Sequence, residues 1–423
     1  MKQIFLILIL ISSISLIGEN YTLEALLNYA FENNTTLQQS KINLNISQAR
    51  RSSARVNYLP DLSAGLNRTE DFAARSDENN NSHQSYNSMY FDISKSIALN
   101  NDSYFQNKNA QHDLNLAIIS NEIQLQDIVY SIIQNYITVL ENQKRLDLLD
   151  ENISIQESIV FESHQLFMQH RITPFEVQQS EINLLNAKIN SLNAKNNLTI
   201  SRNRLFDLIN ITDEGFELAE IRLYANDEDE EFKRDIDLNQ VLQVRQQNET
   251  AERYRTNINQ TRLDFYPQVN LRYNFNRSLS STDFEFDNGR TNHTLSLGFT
   301  YSLNRLLRNR YSYQVANYLE EHNQLGTTRL LQDITLRYNQ YLEELNYLQQ
   351  LNILQHSRVR QTTDNLEIAQ QRYRLGLLTQ LDLDRARYDY LNSRIDLEVN
   401  QYQLLLKKLS IDHLLSNIFY AIP

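Results

Sequence analysis

The stretch ARVNYLPDLSAGLNRT at 54–69 returns as TRLDFYPQVNLRYNFN at 261–276. Each copy reads Arg, an apolar residue, a polar residue and an aromatic, and then reaches Pro60 or Pro267. A chain that repeats itself over some 200 residues folds as two copies of one design, and internal repeats of this kind decide architecture before any local signal does. Each Pro ends a helical pattern and opens an extended one, because the residue before proline is pushed out of the helical region. The Asn34–Pro60 and Asn248–Pro267 intervals differ by seven residues, so the helical face is kept.

A second matched pair lies deeper in each half. RITPFEVQQSE at 171–181 and LLTQLDLDRAR at 377–387 stand 206 residues apart. Both read as the turn of a helical hairpin. Thr173 is the expected N-cap, Pro174 the first helical residue and Glu176 the third. Proline suits that first position because its missing N–H has no partner there anyway. Thr and Glu at this spacing make a reciprocal capping box. Thr379 and Asp382 repeat the pattern with a shorter acid. Gly376 suits a left-handed end for the incoming helix. His170 stands in the Gly376 position, so a looser or longer turn is expected at the first tip.

After each Pro the period changes to two. Leu295, Leu297, Phe299 and Tyr301 alternate with Thr294, Ser296, Gly298, Thr300 and Ser302. Met89, Phe91, Ile93, Ile97 and Leu99 alternate with Tyr90, Asp92, Ser94 and Ser96, although Lys95 breaks the apolar set. Leu62, Ala64 and Leu66 form a weaker run, as do Leu271, Tyr273 and Phe275. Each half therefore holds a strand hairpin with a polar loop, at 70–87 and 280–292. Alternation over about ten residues is the signature of a membrane barrel, and a half-buried soluble hairpin shares it.

Long helical runs follow, roughly Phe105 to Gln169 and Leu306 to Leu375. Ile128, Ile132, Tyr136 and Leu140 recur every four residues, with Val129, Ile133 and Ile137 beside them. Leu331, Ile334, Tyr338, Tyr341, Leu345 and Leu348 do the same later. About 65 residues of helix reach about 100 Å, which a compact domain has no use for. Return helices are expected from Phe175 to about Ile209 and from Leu381 to about Leu409. Only 7 Gly and 4 Pro in 423 residues fit such long regular elements.

MKQIFLILILISSISLIGEN opens the chain. Lys2 and the apolar run Ile4 to Ile11 read as a secretory signal peptide, too short for the ~20 residues of a bilayer-spanning helix. No later stretch approaches that length, and mean hydropathy is −0.53. If the mature chain spans a membrane, it does so with strands closed into a barrel. The expected organisation is a signal peptide at 1–18, a first repeat at 19–223, an acidic linker at 224–235, a second repeat at 236–415 and a tail at 416–423.

A formal charge of −12 argues against nucleic acid, which needs a basic face. The absence of Cys excludes disulfides, thiolate metal sites and a lipid-bearing N-terminal Cys. The eight His show no paired ligand spacing, and no phosphate loop or nucleophile elbow is present. The expectation is no enzyme, no metal and no cofactor.

YTLEALLNYAFENNTTLQ at 21–38, the YLP and FYP junctions, and RYRLGLLTQLDLDRARYDYLNSRIDL at 372–397 together carry a resemblance. The chain resembles the TolC-like outer-membrane efflux proteins over nearly all of its mature length. The last stretch is similar to the family's Tyr-x-x-Gly-x-x-Thr-x-x-Asp-Val pattern at Tyr373, Gly376, Thr379, Asp382 and Leu383. The resemblance implies a mainly helical protein with a small β part. Four strands from each of three protomers would make a twelve-stranded barrel in the outer membrane, and the hairpins an α-barrel tunnel through the periplasm. It implies a periplasmic adaptor and an inner-membrane pump as partners, for small-molecule efflux or type I secretion, with cargo chosen by the pump.

The resemblance also implies a closing iris at the tips. Asp382 and Glu176 are its candidate constriction residues, with Asp384 beside them, and Tyr373 holds it shut by hydrogen bonding. Arg171, Ile172, Thr173, Pro174, Gly376, Leu377, Leu378 and Thr379 are the candidate adaptor-docking residues. Two positions depart from the family pattern. Leu378 stands where a latching Arg is common, and Arg385 where a second Asp is common. Helix capping alone is the competing reading of Asp382 and Glu176. A periplasmic coiled-coil adaptor or structural protein without a pore is the competing reading of the whole chain, and the twofold repeat with paired strands favours the channel.

Overall fold

The computed structural model describes residues 22–71, 84–98, 102–212, 218–221, 237–279 and 290–418. In chain order the elements are α1 (Leu23–Asn33), α2 (Thr35–Val56), β1 (Asp61–Asp71), β2 (Gln84–Ala98), α3 (Asp102–Met168) and α4 (Pro174–Ile209). A short 3-10 turn precedes α5 (Leu242–Leu263), β3 (Gln268–Leu279), β4 (Thr291–Thr300), α6 (Leu303–Arg374) and α7 (Gln380–Leu414). The element order helix, strand hairpin, long helix, tip, return helix occurs twice, as the repeat requires. The expected signal peptide and acidic linker lie outside the described residues, as does most of both strand loops. Among the described residues no helix is long and apolar enough to cross a membrane.

The chain divides into two compact units that cut across the repeat. One gathers Gln39–Ile123 and Leu238–Asp333 and contains the sheet. Its strands run β1-β2-β3-β4, every neighbour antiparallel. The register sorts side chains by face across all four strands. Leu62, Ile93, Tyr273 and Leu295 form one row, and Ser63, Asp92, Asn274 and Thr294 the next. Alternation within each strand has become one apolar and one polar face of a whole sheet. The apolar side is bare: Leu62 is 66% exposed, Leu295 71% and Phe299 73%. On the polar side Asn274 donates to Asp92 at 3.2 Å. Gly65 sits there directly under Tyr90, and a Cβ at Gly65 would come within 2.6 Å of that ring.

Lys95, the break in the apolar alternation, has a structural reason. Its ammonium donates to the carbonyls of Asn57 and Leu59 at 2.7 and 3.1 Å, satisfying backbone left open just past the end of α2. The second repeat does this from the following helix instead, with Asn309 donating to the Asp264 carbonyl at the end of α5 at 2.6 Å. The helices of this unit are tied by polar pairs. His112 meets Glu249 at 2.7 Å and Thr256 at 3.1 Å, and Gln247 donates to Asn323 at 2.8 Å.

The other unit comprises the chain up to Gln38, Gln124–Asp237 and Ile334–Pro423. Its main core joins Leu26, Leu27 and Ala30 of α1 to Ile132, Ile133, Tyr136 and Ile137 of α3, Leu205, Phe206 and Ile209 of α4, and Leu409 of α7. The two stripes read in α3 are its centre. The α6 stripe is buried at Ile334, Tyr338, Leu345 and Leu348. Asn34 breaks α1 from α2 and bonds both ways: its amide donates to the Leu208 carbonyl at 2.8 Å and its oxygen accepts from Leu37 N–H at 3.0 Å.

A narrower seam was not anticipated. Ser180, Ala187, Ala194 and Ser201 of α4 are buried at every seventh position, and so are Ala386, Ser393 and Asn400 of α7. The second set is the first shifted by the repeat. Small side chains at a constant heptad position let helices approach closely along their whole length.

Candidate functional site: the hairpin tips

Both tips are built by the same backbone events. Each incoming helix stops at a residue with positive φ, His170 at 57° and Gly376 at 72°. His170 N–H donates to the Phe167 carbonyl and Arg171 N–H to that of Leu166, both at 2.9 Å. Gly376 and Leu377 donate in the same pattern to Tyr373 and Arg372, again at 2.9 Å. These paired bonds are a Schellman closure. The expectation of a looser or longer turn at His170 is therefore corrected. The hydrogen bonds fix the turn, and His170 bears the left-handed strain that glycine avoids. The return helices end alike, at Asn210 (φ 63°) and Ser416 (φ 61°), again 206 residues apart.

The caps follow. Thr173 accepts from Glu176 N–H at 3.4 Å, and the Glu176 carboxylate accepts from Thr173 N–H at 2.7 Å, completing the capping box. Thr379 accepts from Asp382 N–H at 3.2 Å and donates its hydroxyl proton to that carboxylate at 2.6 Å. The reciprocal box with a return bond to the cap's own N–H is present at the first tip. Glu176 takes both the Thr173 hydroxyl, at 2.9 Å, and the N–H, whereas Asp382, one methylene shorter, engages the hydroxyl alone.

Beneath the turns, matched positions are buried: Ser163 with Ala369, Val177 with Leu383, Ser180 with Ala386. Leu378 packs on Leu383 and Ala386, together with Tyr373. Where the family pattern often has a charged residue, this chain extends the apolar floor of the tip. Outside, Phe175 and its counterpart Leu381 are 72% and 64% exposed, and Leu377 is 72% exposed. Arg171 is exposed and Ile172 half-buried.

The tips differ in what reaches across to the other hairpin. Asp384 accepts from Asn183 of α4 at 3.0 Å, from Gln380 at 3.1 Å and from Arg387 at 3.3 Å. Burial raises its pKa against the opposing pull of Arg387, and burial also lowers that of Arg387. Tyr373 lies among the same groups. Its hydroxyl is raised first by burial and then by the negative charge of Glu162, with Asp384 and Glu176 adding and Arg387 opposing. The structure thus brings Tyr373, Asp384 and Glu176 into one electrostatic neighbourhood. Asp382 stands outside it, engaged with its own cap. Sequence reasoning missed Glu162, Asn183 and Arg387. Glu162 gave no signal, because only the fold sets it against Tyr373.

Above the tips, α3, α4 and α7 enclose a groove of about 710 Å³, lined by amides and charges together with Leu and Ala side chains. Asn183, Asn186, Asn190, Asn193 and Asn197 line it from α4. Their 3–4 spacing was legible to a search that tests polar residues with the period used for apolar ones.

A four-stranded sheet with one apolar and one polar face, and long antiparallel helical hairpins with capped tips, are together the elements of an outer-membrane channel. The sequence profile of the Outer membrane efflux protein family matches residues 26–210 and 238–417. The chain belongs to this family, and is an outer-membrane efflux channel of the TolC type extending into the periplasm, with no enzymatic activity. The Campylobacter jejuni CmeC outer membrane channel is 14% identical, with a TM-score of 0.81 over 96% of this chain and 91% of that one. CusC is 13% identical, with a TM-score of 0.83 over 95% of each chain. The open state of the Neisseria gonorrhoeae MtrE outer membrane channel is 16% identical, with a TM-score of 0.81 over 94% and 89%. No curated protein matches the chain in sequence.

Proposed function

We propose that this chain is the exit duct of a tripartite efflux or type I secretion system. In this reading it takes substrate from an inner-membrane pump through a periplasmic adaptor and passes it to the exterior. The observation that carries the reading is the sheet. It has one bare apolar face, one polar face, and β1 and β4 at its two edges. An open edge in hydrocarbon leaves backbone N–H and C=O groups unpaired, at several kcal/mol each. Copies of the chain close it edge to edge, and three copies give the twelve strands of the family barrel. The heptad-spaced apolar residues Ile182, Leu185, Ile189 and Leu192 on α4 are exposed in one chain and offer a second seam for such a neighbour.

The gate of this duct lies at the tips. Asn183 and Asp384 hold α7 on the first hairpin, with Tyr373 packed beside them under the charge of Glu162 and Glu176, and parting the Asn183–Asp384 contact opens the passage. Asp382 and Glu176 cap their helices and also set the charge at the mouth, because a first-turn acid is favoured by the helix dipole whatever else it does. The adaptor docks on the exposed tip surface of Arg171, Phe175, Leu377 and Leu381, with Ile172, Thr173, Pro174, Gly376, Leu378 and Thr379 forming the turns beneath it.

Single-channel recording of the purified, detergent-extracted protein in a planar bilayer tests the reading. Small openings in the wild type that widen in Asp384→Ala, and that change ion selectivity in Asp382→Ala, are expected. Protein that is soluble without detergent and never inserts would sink it in favour of the periplasmic coiled coil.

A further inference from the structure

The groove between α4 and α7 has a composition that helix packing does not require. Asn183, Asn186, Asn190, Asn193 and Asn197 occupy alternating three- and four-residue steps, the positions that carry Leu or Ile in a coiled-coil seam. The apolar residues one place earlier, from Ile182 to Leu192, point to solvent on another face. The helix is therefore turned so that its amides, with the small Ala187 and Ala194 between them, meet the opposite wall. That wall is α7, with Arg385, Tyr388 and Asn392, and α3 adds Arg145.

The charges in this groove do not cancel. Four charged side chains line it: Arg145, Asp384, Arg385 and Asp396. Both acids are already engaged. Asp384 has Arg387 at 3.3 Å and Asn183 at 3.0 Å, and Asp396 has Arg358 at 2.8 Å. Among the described residues, Arg145 and Arg385 make no ion pair within 4 Å. Arg145 shares a longer-range attraction with Glu141, one turn away on its own helix. What remains is two guanidinium groups and a line of amide N–H donors in about 710 Å³, a volume for a molecule rather than an ion. Guanidinium presents a planar fork of donors suited to carboxylate and sulfonate oxygens.

We propose that this groove is a binding site for organic anions that carry several oxygen acceptors, such as polycarboxylates or polysulfonates, with Arg385 and Arg145 as the charge partners and the α4 asparagines as neutral donors. Binding is modest and salt-sensitive, because both arginines are solvent-exposed. The chemistry belongs to the helices of one chain and needs no assumption about a pump or an adaptor.

The test is fluorescence anisotropy of 8-hydroxypyrene-1,3,6-trisulfonate titrated with the full chain in detergent, with rhodamine 6G as a cationic counterpart. Saturable binding of the trisulfonate is expected, weakened about tenfold by Arg385→Gln and by Arg145→Gln, and unchanged by Arg308→Gln. Circular dichroism of each variant establishes that it is folded. Binding that is absent in folded wild type, that ignores both groove substitutions, or that is matched by the cationic dye would overturn the site. Bilayer conductance of the same preparation keeps the two readings apart. Conducting channels without dye binding remove the anion site and leave the duct, and dye binding without conductance does the reverse.

Discussion

The two hairpin tips share a backbone and divide the labour. At α3–α4 the turn is made by His170 under left-handed strain, and the cap is a full Thr173–Glu176 box. At α6–α7 the turn is made by Gly376 without strain, and the cap is the shorter Thr379–Asp382 pair. The first tip closes on itself. The second sends Asp384 to the other hairpin, where its counterpart 206 residues earlier, Gln178, is exposed. Duplication supplied two equal turns, and substitution made one of them a fastening. A hydrogen-bond pattern can be kept through different residues, whereas a cross-hairpin contact depends on one particular side chain.

The largest expected break in that comparison is at this pair of counterparts. Asp384→Ala leaves the half-buried Arg387 without its carboxylate and is expected to cost about 2 kcal/mol, less than for a fully buried pair, while Gln178→Ala costs close to nothing. Thermal unfolding of the detergent-purified protein measures both, and equal effects would erase the asymmetry. Next come the caps. Glu176→Ala is expected to cost about 1.5 kcal/mol and Asp382→Ala about 1 kcal/mol, because the first also removes the acceptor of the Thr173 N–H. Smaller again, His170→Gly is expected to stabilise by about 1 kcal/mol and Gly376→Ala to destabilise by a similar amount. A neutral His170→Gly would mean that the histidine makes a compensating contact.

The smallest effect is in pH. Burial raises the Asp384 pKa above its ordinary 3.8. The folded state then binds this proton more tightly than the unfolded chain. The contribution is complete below 3.8 and is lost as pH rises through the folded value. Asp384→Asn removes that slope. A wild-type stability curve parallel to that of Asp384→Asn across the window would contradict the assignment of Asp384 as the buried titrating group.

Much of this molecule was legible in its sequence, for identifiable reasons. Periods of two and of about 3.6 are set by backbone geometry, so the strands at 291–300 and the stripes at Ile132 and Tyr136 declared themselves. Cap chemistry is local, so Thr173–Glu176 and Thr379–Asp382 did as well. Lys95 looked like an error in the strand until its acceptors, Asn57 and Leu59, came into view. The fastening of α7 by Asn183 joins residues 201 positions apart. No local period encodes such a contact. His170 misled because composition suggests strain, while the turn's bonds decide geometry.

The central claim is that the contact between Asn183 and Asp384 holds the duct shut. The chain has no Cys, so cysteines placed at both positions are the only thiols present. The direct measurement is bilayer conductance of that double variant before linkage, after linkage with a reducible bis-methanethiosulfonate, and after reduction. The account predicts that the unlinked variant conducts more than wild type, that linkage returns it to small openings, and that reduction restores the larger conductance. Conductance that is the same in all three states, with linkage verified by mass, would contradict it.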